Sequence, residues 1–174
     1  MSRFLELRRH TDNDGDVLTQ AGVEAALRIG AGLAGGYALG VSTGAQRATQ
    51  ALACFLAGLG QRVPGGVVVE PGLRSAREDE WRAAARQAGG GELATLREAD
   101  PALVAEDSAV LGAALGRVLA LLGDGQRALV AGHSPTNEAA VLGLTGLLVA
   151  PLAKGAGVLV VEDAGGYRVE PLGA

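Results

Sequence analysis

The sequence predicts an α/β fold, a three-layer α/β/α sandwich with a largely parallel central sheet. Short apolar runs alternate along the chain with longer segments in which apolar residues recur every three or four positions. This alternation is typical of strands that are connected by helices. The chain has 174 residues, which suits one domain better than two, since domains are commonly on the order of 100–150 residues long. We therefore expect residues 1–174 to form a single domain.

The first part of the chain combines strand-like and helix-like patterns. Thr19 is a suitable N-cap for a helix that ends near Gly35-Gly36. A second helix places Ala48, Leu52 and Phe55 at helical spacing. Strands are predicted at residues 3–8, 37–41 and 67–69, and helices at residues 19–33 and 44–59.

Residues 73–99 form the least regular stretch. The part from 73 to 87 is charged and rich in alanine, with Trp81 as its one large apolar residue, and three consecutive glycines follow at 89–91. Such a segment favours a surface helix with a hinge. We expect it to form a small cap or lid.

The last part of the chain begins with a strong helix signal. Asp100-Pro101 is a cap followed by a proline, and Val104, Leu111, Leu115 and Val118 form an apolar stripe. A strand is then predicted at residues 128–131, a helix at 135–148, and a terminal hairpin at 158–162 and 167–170.

Composition excludes several classes of function. The chain carries 15 Lys and Arg against 19 Asp and Glu, a net charge of -4, and the basic residues are scattered, so a nucleic-acid partner is not expected. The single Cys54 excludes a disulfide framework and a Cys-rich zinc site. Two uncharged stretches, Ile29 to Gln46 and Ala139 to Ala153, are too polar or too short to span a bilayer. The N-terminus lacks the apolar region of a signal peptide. We expect a cytoplasmic location, no membrane association, no metal and no cofactor.

The two histidines of the chain carry the main functional signal. His10 and His133 each follow a predicted strand, and ligands of parallel sheets bind beyond the carboxyl ends of the strands. Arg9 precedes His10, and Arg47 falls in the first turn of a predicted helix. Arginine forks and helix N-termini bind phosphate oxygens. Ser134 is expected to cap a second helix there, so the ligand implied is a phosphoryl group.

Three segments together resemble the histidine phosphatase superfamily, also called phosphoglycerate-mutase-like, and its first branch in particular. The family opens with Arg-His-Gly and a Leu-Thr-x-x-Gly helix start, continues with Ser-Pro-x-x-Arg-Ala-x-Gln-Thr, and ends with a Gly/Ser-His-x-Pro segment. The matching segments here are Arg9-His10-Thr11 with Leu18 to Gly22, Thr43 to Ala51, and Gly132-His133-Ser134-Pro135.

The resemblance implies a phosphatase that uses a covalent phosphohistidine intermediate. It makes His10 the nucleophile, Arg9 and Arg47 the ligands of the phosphoryl oxygens, and His133 a further hydrogen-bond donor. Such a mechanism requires no metal, and it divides hydrolysis into two easier steps. The short chain resembles small bacterial members that act on phosphohistidine in proteins and on other phosphoesters. The expected substrate is a phosphorylated small molecule or a phosphoprotein.

Two positions depart from the family pattern. Thr11 replaces the usual Gly, and its hydroxyl is a candidate phosphate contact, as is that of Ser134. The family's proton-donating Glu follows a Leu-x pair, but Leu73-Arg74 is followed by Ser75. The nearby acids are Glu78, Asp79 and Glu80, of which Glu78 is the preferred proton donor.

Other interpretations stay open at this point. A non-catalytic phosphate-binding regulatory module would keep the pocket without turnover, and a phosphoglycerate-mutase-type phosphotransferase is a further alternative. The loop from Asp12 to Asp16 lacks the Gly and Glu of a calcium loop, so it is either a polar turn or a loop that faces substrate. A homodimer is possible through the terminal hairpin.

Overall fold

The computed structural model describes all 174 residues and contains one six-stranded sheet flanked by helices. The strands are β1 (Arg3–Arg9), β2 (Asn13–Asp14), β3 (Val17–Leu18), β4 (Tyr37–Ser42), β5 (Val67–Val69), β6 (Arg127–Gly132), β7 (Gly157–Asp163) and β8 (Gly166–Leu172). The α-helices are α1 (Gln20–Ala31), α2 (Gln46–Leu59), α3 (Glu78–Ala88), α4 (Leu93–Ala99), α5 (Pro101–Ala120) and α6 (Thr136–Thr145), with a 3-10 turn at Pro71–Leu73.

The strand order in the main sheet is β5-β4-β6-β1-β7-β8. The first four of these strands are parallel, whereas β7 pairs antiparallel with β1 and β8 antiparallel with β7. Strands β2 and β3 form a separate short hairpin. The predicted fold class is therefore confirmed, and so is the terminal hairpin.

The side chains of the sheet alternate between two apolar layers, which makes the domain three layers thick. In β6, Ala128 and Val130 belong to the core that packs under α5 and α6. Leu129 and Ala131 belong to a second core that packs under α1 and α2 and includes Phe55. Because helices cover both faces of β6, its alternate side chains all pack in an apolar core, which explains the unbroken apolar run from Ala128 to Ala131.

Helix boundaries follow their capping residues. Thr19 caps α1 by accepting a hydrogen bond from the Gly22 N–H at 3.0 Å, and Asp100 caps α5 through the Leu103 N–H at 3.0 Å. Helix α6 ends at Thr145 because Gly146 takes a positive φ of 75°, so the prediction that it extends to 148 is wrong.

The predicted cap region contains more structure than expected. The segment from 73 to 87 begins at the last residue of the 3-10 turn and contains most of α3, which is followed by a separate helix α4 that packs on α5. Trp81 is buried with 3% exposure, since it is the apolar anchor of α3. The loop after β1 contains the β2–β3 hairpin, which was not predicted. None of the helices has both the length and the apolar character needed to cross a lipid bilayer.

Candidate active site

The two histidines meet because β1 and β6 are parallel neighbours. Their register pairs Arg9 with Gly132, so the residues that follow, His10 and His133, leave the sheet side by side. The backbone N–H of His10 donates to the Gly132 carbonyl at 3.0 Å. The two rings lie edge to face, with 5.4 Å between their centroids. The sheet topology thus brings together the two residues that the sequence singled out.

A backbone contact orients the His10 ring. Nδ1 lies 2.8 Å from the Thr11 carbonyl oxygen, which can only accept, so Nδ1 carries the proton and Nε2 keeps its lone pair. Nε2 has no hydrogen-bond partner and is not among the fully buried polar atoms. Burial lowers the pKa of His10; the bond to Thr11 opposes this shift, and the charges of Arg47 and Arg9 add to it. His10 therefore presents a neutral, accessible nitrogen.

His133 is held from the neighbouring strand β4. Its Nε2 lies 2.9 Å from Thr43 Oγ1, whereas its Nδ1 is buried without a partner. Burial, followed by the charges of Arg47 and His10, lowers the pKa of His133 to about 3. The turn after Thr43 needs Gly44, whose φ is +90°, a conformation that other residues rarely adopt. His133 is thus neutral, and its Nδ1 makes no hydrogen bond within the chain.

A cavity of about 430 Å³ opens beside the two histidines. Arg9 and Arg47 line it, with His133. Arg9 Nη1 donates to the Leu152 carbonyl at 2.8 Å, but its Nε is buried without a partner. Of the residues predicted to form the site, the two arginines and His133 therefore share one cavity. His10 is not among the lining residues, although its ring centroid lies 5.4 Å from that of His133.

The N-terminus of α2 already binds an anion from the chain itself. The Asp16 carboxylate accepts from the backbone N–H groups of Gln46 and Arg47, at 3.2 and 3.5 Å, and from Arg47 Nη1 at 2.7 Å. Partial burial would raise the pKa of Asp16, but these hydrogen bonds and the Arg47 charge outweigh it and lower that pKa. A helix start with an adjacent arginine is suited to bind an anion, and in this structure the Asp16 carboxylate occupies it.

Ser134 also lines the cavity but has a different role from the predicted one. Its hydroxyl donates to Glu138 Oε1 at 2.5 Å, and its oxygen accepts no hydrogen bond from a backbone N–H of α6, whose N-cap is Pro135 and which has no side-chain cap. The prediction that Ser134 caps α6 is wrong, because Glu138, one helical turn on, takes the hydroxyl. The peptide bond between Ser134 and Pro135 is cis.

Thr11 lies away from the cavity. Its side chain is 1% exposed, and its hydroxyl donates to the Gly22 carbonyl at 2.7 Å. A hydroxyl has one proton to give, so in this arrangement Thr11 Oγ1 cannot donate to a phosphate. The expectation of a phosphate contact from this hydroxyl is therefore corrected: Thr11 acts through its carbonyl, which orients His10.

The cap contributes Ser75 and Glu78 to the cavity wall. Ser75 Oγ and Trp81 Nε1 each donate to Asp107 Oδ2 at 2.6 Å, which anchors the cap to α5. Glu78 is paired with Arg74 at 2.8 Å and with Arg82 at 3.2 Å.

The two other acids of the cap that the sequence suggested as proton donors lie outside the cavity lining. Asp79 pairs with Arg82 at 2.6 Å, and its side chain is 95% exposed. Glu80 pairs with Arg77 at 2.6 Å. Surface ion pairs of this kind account for both side chains.

Sequence reasoning missed three residues of the site. Thr43 immediately follows β4 at the same sheet edge, and Glu138 is four residues after Ser134, so spacing alone could have suggested both. Asp16 reaches Arg47 only because the β2–β3 hairpin folds back over α2, and no local pattern indicates this. No group of three or more His, Cys, Asp or Glu side chains is placed to hold a metal ion.

Comparison with known proteins establishes the fold. No protein-family model and no curated protein sequence matches the chain. Among solved structures, phosphoglycerate mutase from Bacillus anthracis has a TM-score of 0.71 at 18% identity, covering 98% of this chain and 92% of that one. Mycobacterial glucosyl-3-phosphoglycerate phosphatase has a TM-score of 0.72 at 16% identity, with 100% of both chains covered. Phosphoserine phosphatase from Entamoeba histolytica has a TM-score of 0.72 at 14% identity, covering 99% and 98%. The chain has the phosphoglycerate-mutase-like fold over its whole length.

Proposed function

We propose that this protein is a metal-independent histidine phosphatase that hydrolyses phosphomonoesters or protein phosphohistidine through a phosphohistidine at His10. The observation that carries the proposal is the state of the His10 ring, whose Nδ1 proton is fixed on the Thr11 carbonyl while Nε2 has no partner. A neutral imidazole with a free lone pair beside two arginines is suited to attack phosphorus. The solved structures of the same fold include enzymes named as phosphatases, which supports the same chemistry.

The first step transfers the phosphoryl group to His10 Nε2. Attack forms the N–P bond and breaks the bond to the leaving-group oxygen, while Nδ1–H stays on the Thr11 carbonyl and shares the positive charge that develops on the ring. Water then cleaves the N–P bond and releases phosphate. Because the pKa of His10 is lowered by burial and by the nearby arginines, the ring stays unprotonated at neutral pH.

Phosphate binding is assigned to Arg9, Arg47 and His133. The unpartnered Nε of Arg9 and the fork of Arg47 supply charged donors that stabilise charge on the equatorial oxygens. His133 is neutral, so only one of its two ring nitrogens carries a proton. The Thr43 hydroxyl oxygen, which lies next to His133 Nε2, accepts a long hydrogen bond of 3.4 Å from the Ala45 N–H. We assign the Thr43 hydroxyl proton to His133 Nε2, which leaves Nδ1–H as the donor to phosphate.

The size of the cavity supports a phosphorylated substrate. At about 430 Å³ the cavity is large enough for a phosphoryl group with a small leaving group, and small-molecule sites begin at roughly 300 Å³.

Glu78 stays a prediction as proton donor, and the cytoplasmic location, the homodimer and the lack of a nucleic-acid partner stay predictions from the sequence. A mutase or a regulatory phosphate-binding module lacks a specific observation in its favour.

The test is turnover of p-nitrophenyl phosphate in the presence of a chelator, by the parent protein and by His10→Ala. We expect acid-labile, base-stable phosphoprotein to accumulate in the parent and to disappear, together with turnover, in His10→Ala. Arg47→Ala should lower kcat/KM by about 10²–10³-fold, the range for loss of one preorganised donor. A parent protein that binds phosphate but forms no phosphoprotein would refute the proposal in favour of a binding module.

A further inference from the structure

Glu138 is a buried carboxyl group that the steps above do not use. It is 1% exposed, and its Oε1 accepts from Ser134 Oγ at 2.5 Å and from the Leu152 N–H at 2.9 Å. Its Oε2 is buried without any partner. An ionised carboxylate with one bare, buried oxygen is costly, whereas the neutral acid is much less so. The geometry of this pocket wall therefore favours a protonated Glu138 when the cavity is empty.

The protonation state of Glu138 decides where the Ser134 hydroxyl points. An ionised Glu138 accepts the Ser134 proton, as the 2.5 Å contact permits. A neutral Glu138 can donate to Ser134 Oγ instead, and the hydroxyl proton of Ser134 is then free to turn into the cavity that this residue lines. Burial raises the pKa of Glu138, although its hydrogen bonds and the charge of Arg9 oppose the shift.

We propose, building on the phosphatase function above, that Ser134 and Glu138 form the proton relay of this enzyme. Ser134 touches the substrate, and Glu138 acts through it as a positioning residue and proton store. In the first step the Ser134 hydroxyl proton passes to the leaving-group oxygen as the P–O bond breaks, and the Glu138 proton passes to Ser134. In the second step water loses a proton to Ser134 as it attacks phosphorus, Ser134 returns a proton to Glu138, and the N–P bond breaks to regenerate neutral His10.

The other acids at the cavity are less suited to this role. Glu78 pairs with two arginines, which hold it as an acceptor. Asp107 takes two strong hydrogen bonds, from Ser75 and Trp81, so it is fixed as the anchor of the cap. Glu138 alone combines a buried unpartnered oxygen with a hydroxyl that reaches the cavity.

The experiment compares two substrates that differ in their need for a proton. The dinitrophenolate of 2,4-dinitrophenyl phosphate leaves unprotonated, whereas the alkoxide of glycerol 3-phosphate does not. We expect Glu138→Gln to lower kcat/KM by at least about 10²-fold on glycerol 3-phosphate, the lower range for general acid catalysis, and less than about threefold on the dinitrophenyl ester. With the latter, slower attack of water should raise the steady level of phosphoprotein in Glu138→Gln.

Matched variants separate the relay from a structural effect. Glu98→Gln makes the same chemical change at an exposed position of α4 and should leave both substrates unchanged. Ser134→Ala should reproduce the effect of Glu138→Gln without altering the buried core, and the double variant should be no worse than either single variant. Ser134→Thr, which restores a hydroxyl, should recover part of the lost activity on glycerol 3-phosphate.

The outcomes distinguish the two proposals. Equal losses on both substrates in Glu138→Gln and in Ser134→Ala would overturn the relay, and so would a leaving-group difference that appears in Ser75→Ala or Glu78→Gln instead. Turnover of the dinitrophenyl ester by the parent, with a phosphoprotein that depends on His10, would in that case keep the phosphatase function. If the parent forms no phosphoprotein, both the relay and the phosphatase function are overturned.

Discussion

Replacement of His133 by Gln should make the protein less sensitive to acid. In the folded protein the pKa of His133 lies at about 3, against a usual value of 6.5, so between these values the unfolded chain binds a proton that the folded chain does not. Stability then falls as the pH falls. At pH 5, which is about 1.5 pH units below the usual pKa, protonation stabilises the histidine of the unfolded chain by about 2 kcal/mol, at 1.36 kcal/mol per unit. The His133→Gln variant has no ionisable group at this position, so it does not lose this stability at low pH.

Urea unfolding at pH 8 and at pH 5 measures the difference directly. The parent should lose about 2 kcal/mol more free energy of unfolding than His133→Gln over this interval. Glu138, whose pKa is also shifted, is present in both proteins and is not among the groups that shift the pKa of His133, so its contribution cancels in the comparison. Identical losses in the two proteins would show that His133 titrates normally, and the assignment of a neutral His133 at the phosphate site would fail.

Two further predictions concern the anion site of α2 and the packing of α5 on α6. Asp16→Ala removes the carboxylate that holds Arg47, so inorganic phosphate should inhibit at a lower concentration; a higher inhibition constant would mean that Asp16 orients Arg47 instead of competing with phosphate. Gly143→Ala places a Cβ 1.7 Å from the Ser108 carbonyl oxygen, so urea unfolding should show a loss of about 1–3 kcal/mol or more. In the matched control Gly116→Ala, the nearest atom is a side-chain carbon at 3.7 Å, and the expected change is a gain of about 0.5–1 kcal/mol; equal effects of the two alanines would contradict the packing argument.

The parts of the fold that the sequence predicted are those fixed by local patterns. The apolar stripe of α5 and its Asp100-Pro101 start are local signals, and the structure confirms both. The paired histidines were predictable because a parallel sheet places the ends of its strands at one edge. The adjacency of His10 and His133 thus follows from topology once β1 and β6 are recognised as neighbours.

The parts that were not predicted depend on contacts between distant segments. Trp81 looked like the lone apolar residue of a surface helix, but it packs in the main apolar core, where Asp107 on α5 accepts its indole N–H. The role of Ser134 was misassigned because the capping preference of serine competes with a buried carboxyl, and only the position of Glu138 decides between them. Local propensity indicates which roles a residue such as Trp81 or Ser134 can take, but the contacts with distant segments determine which role it has.

The charges around the cavity suit the phosphoryl group of the proposed substrate. Three arginines line the cavity: Arg9, Arg47 and Arg82. Arg47 is neutralised by Asp16, and Arg82 by acids of α3, but Arg9 lies within ion-pair distance of no carboxylate and has a buried Nε without a partner. In the proposed relay Glu138 is neutral, so no carboxylate of the chain pairs with Arg9, whose Nη1 donates only to the Leu152 carbonyl. The phosphoryl dianion of the proposed substrate would supply that counter-charge. A neutral Glu138 therefore keeps Arg9 available for the proposed phosphate contact.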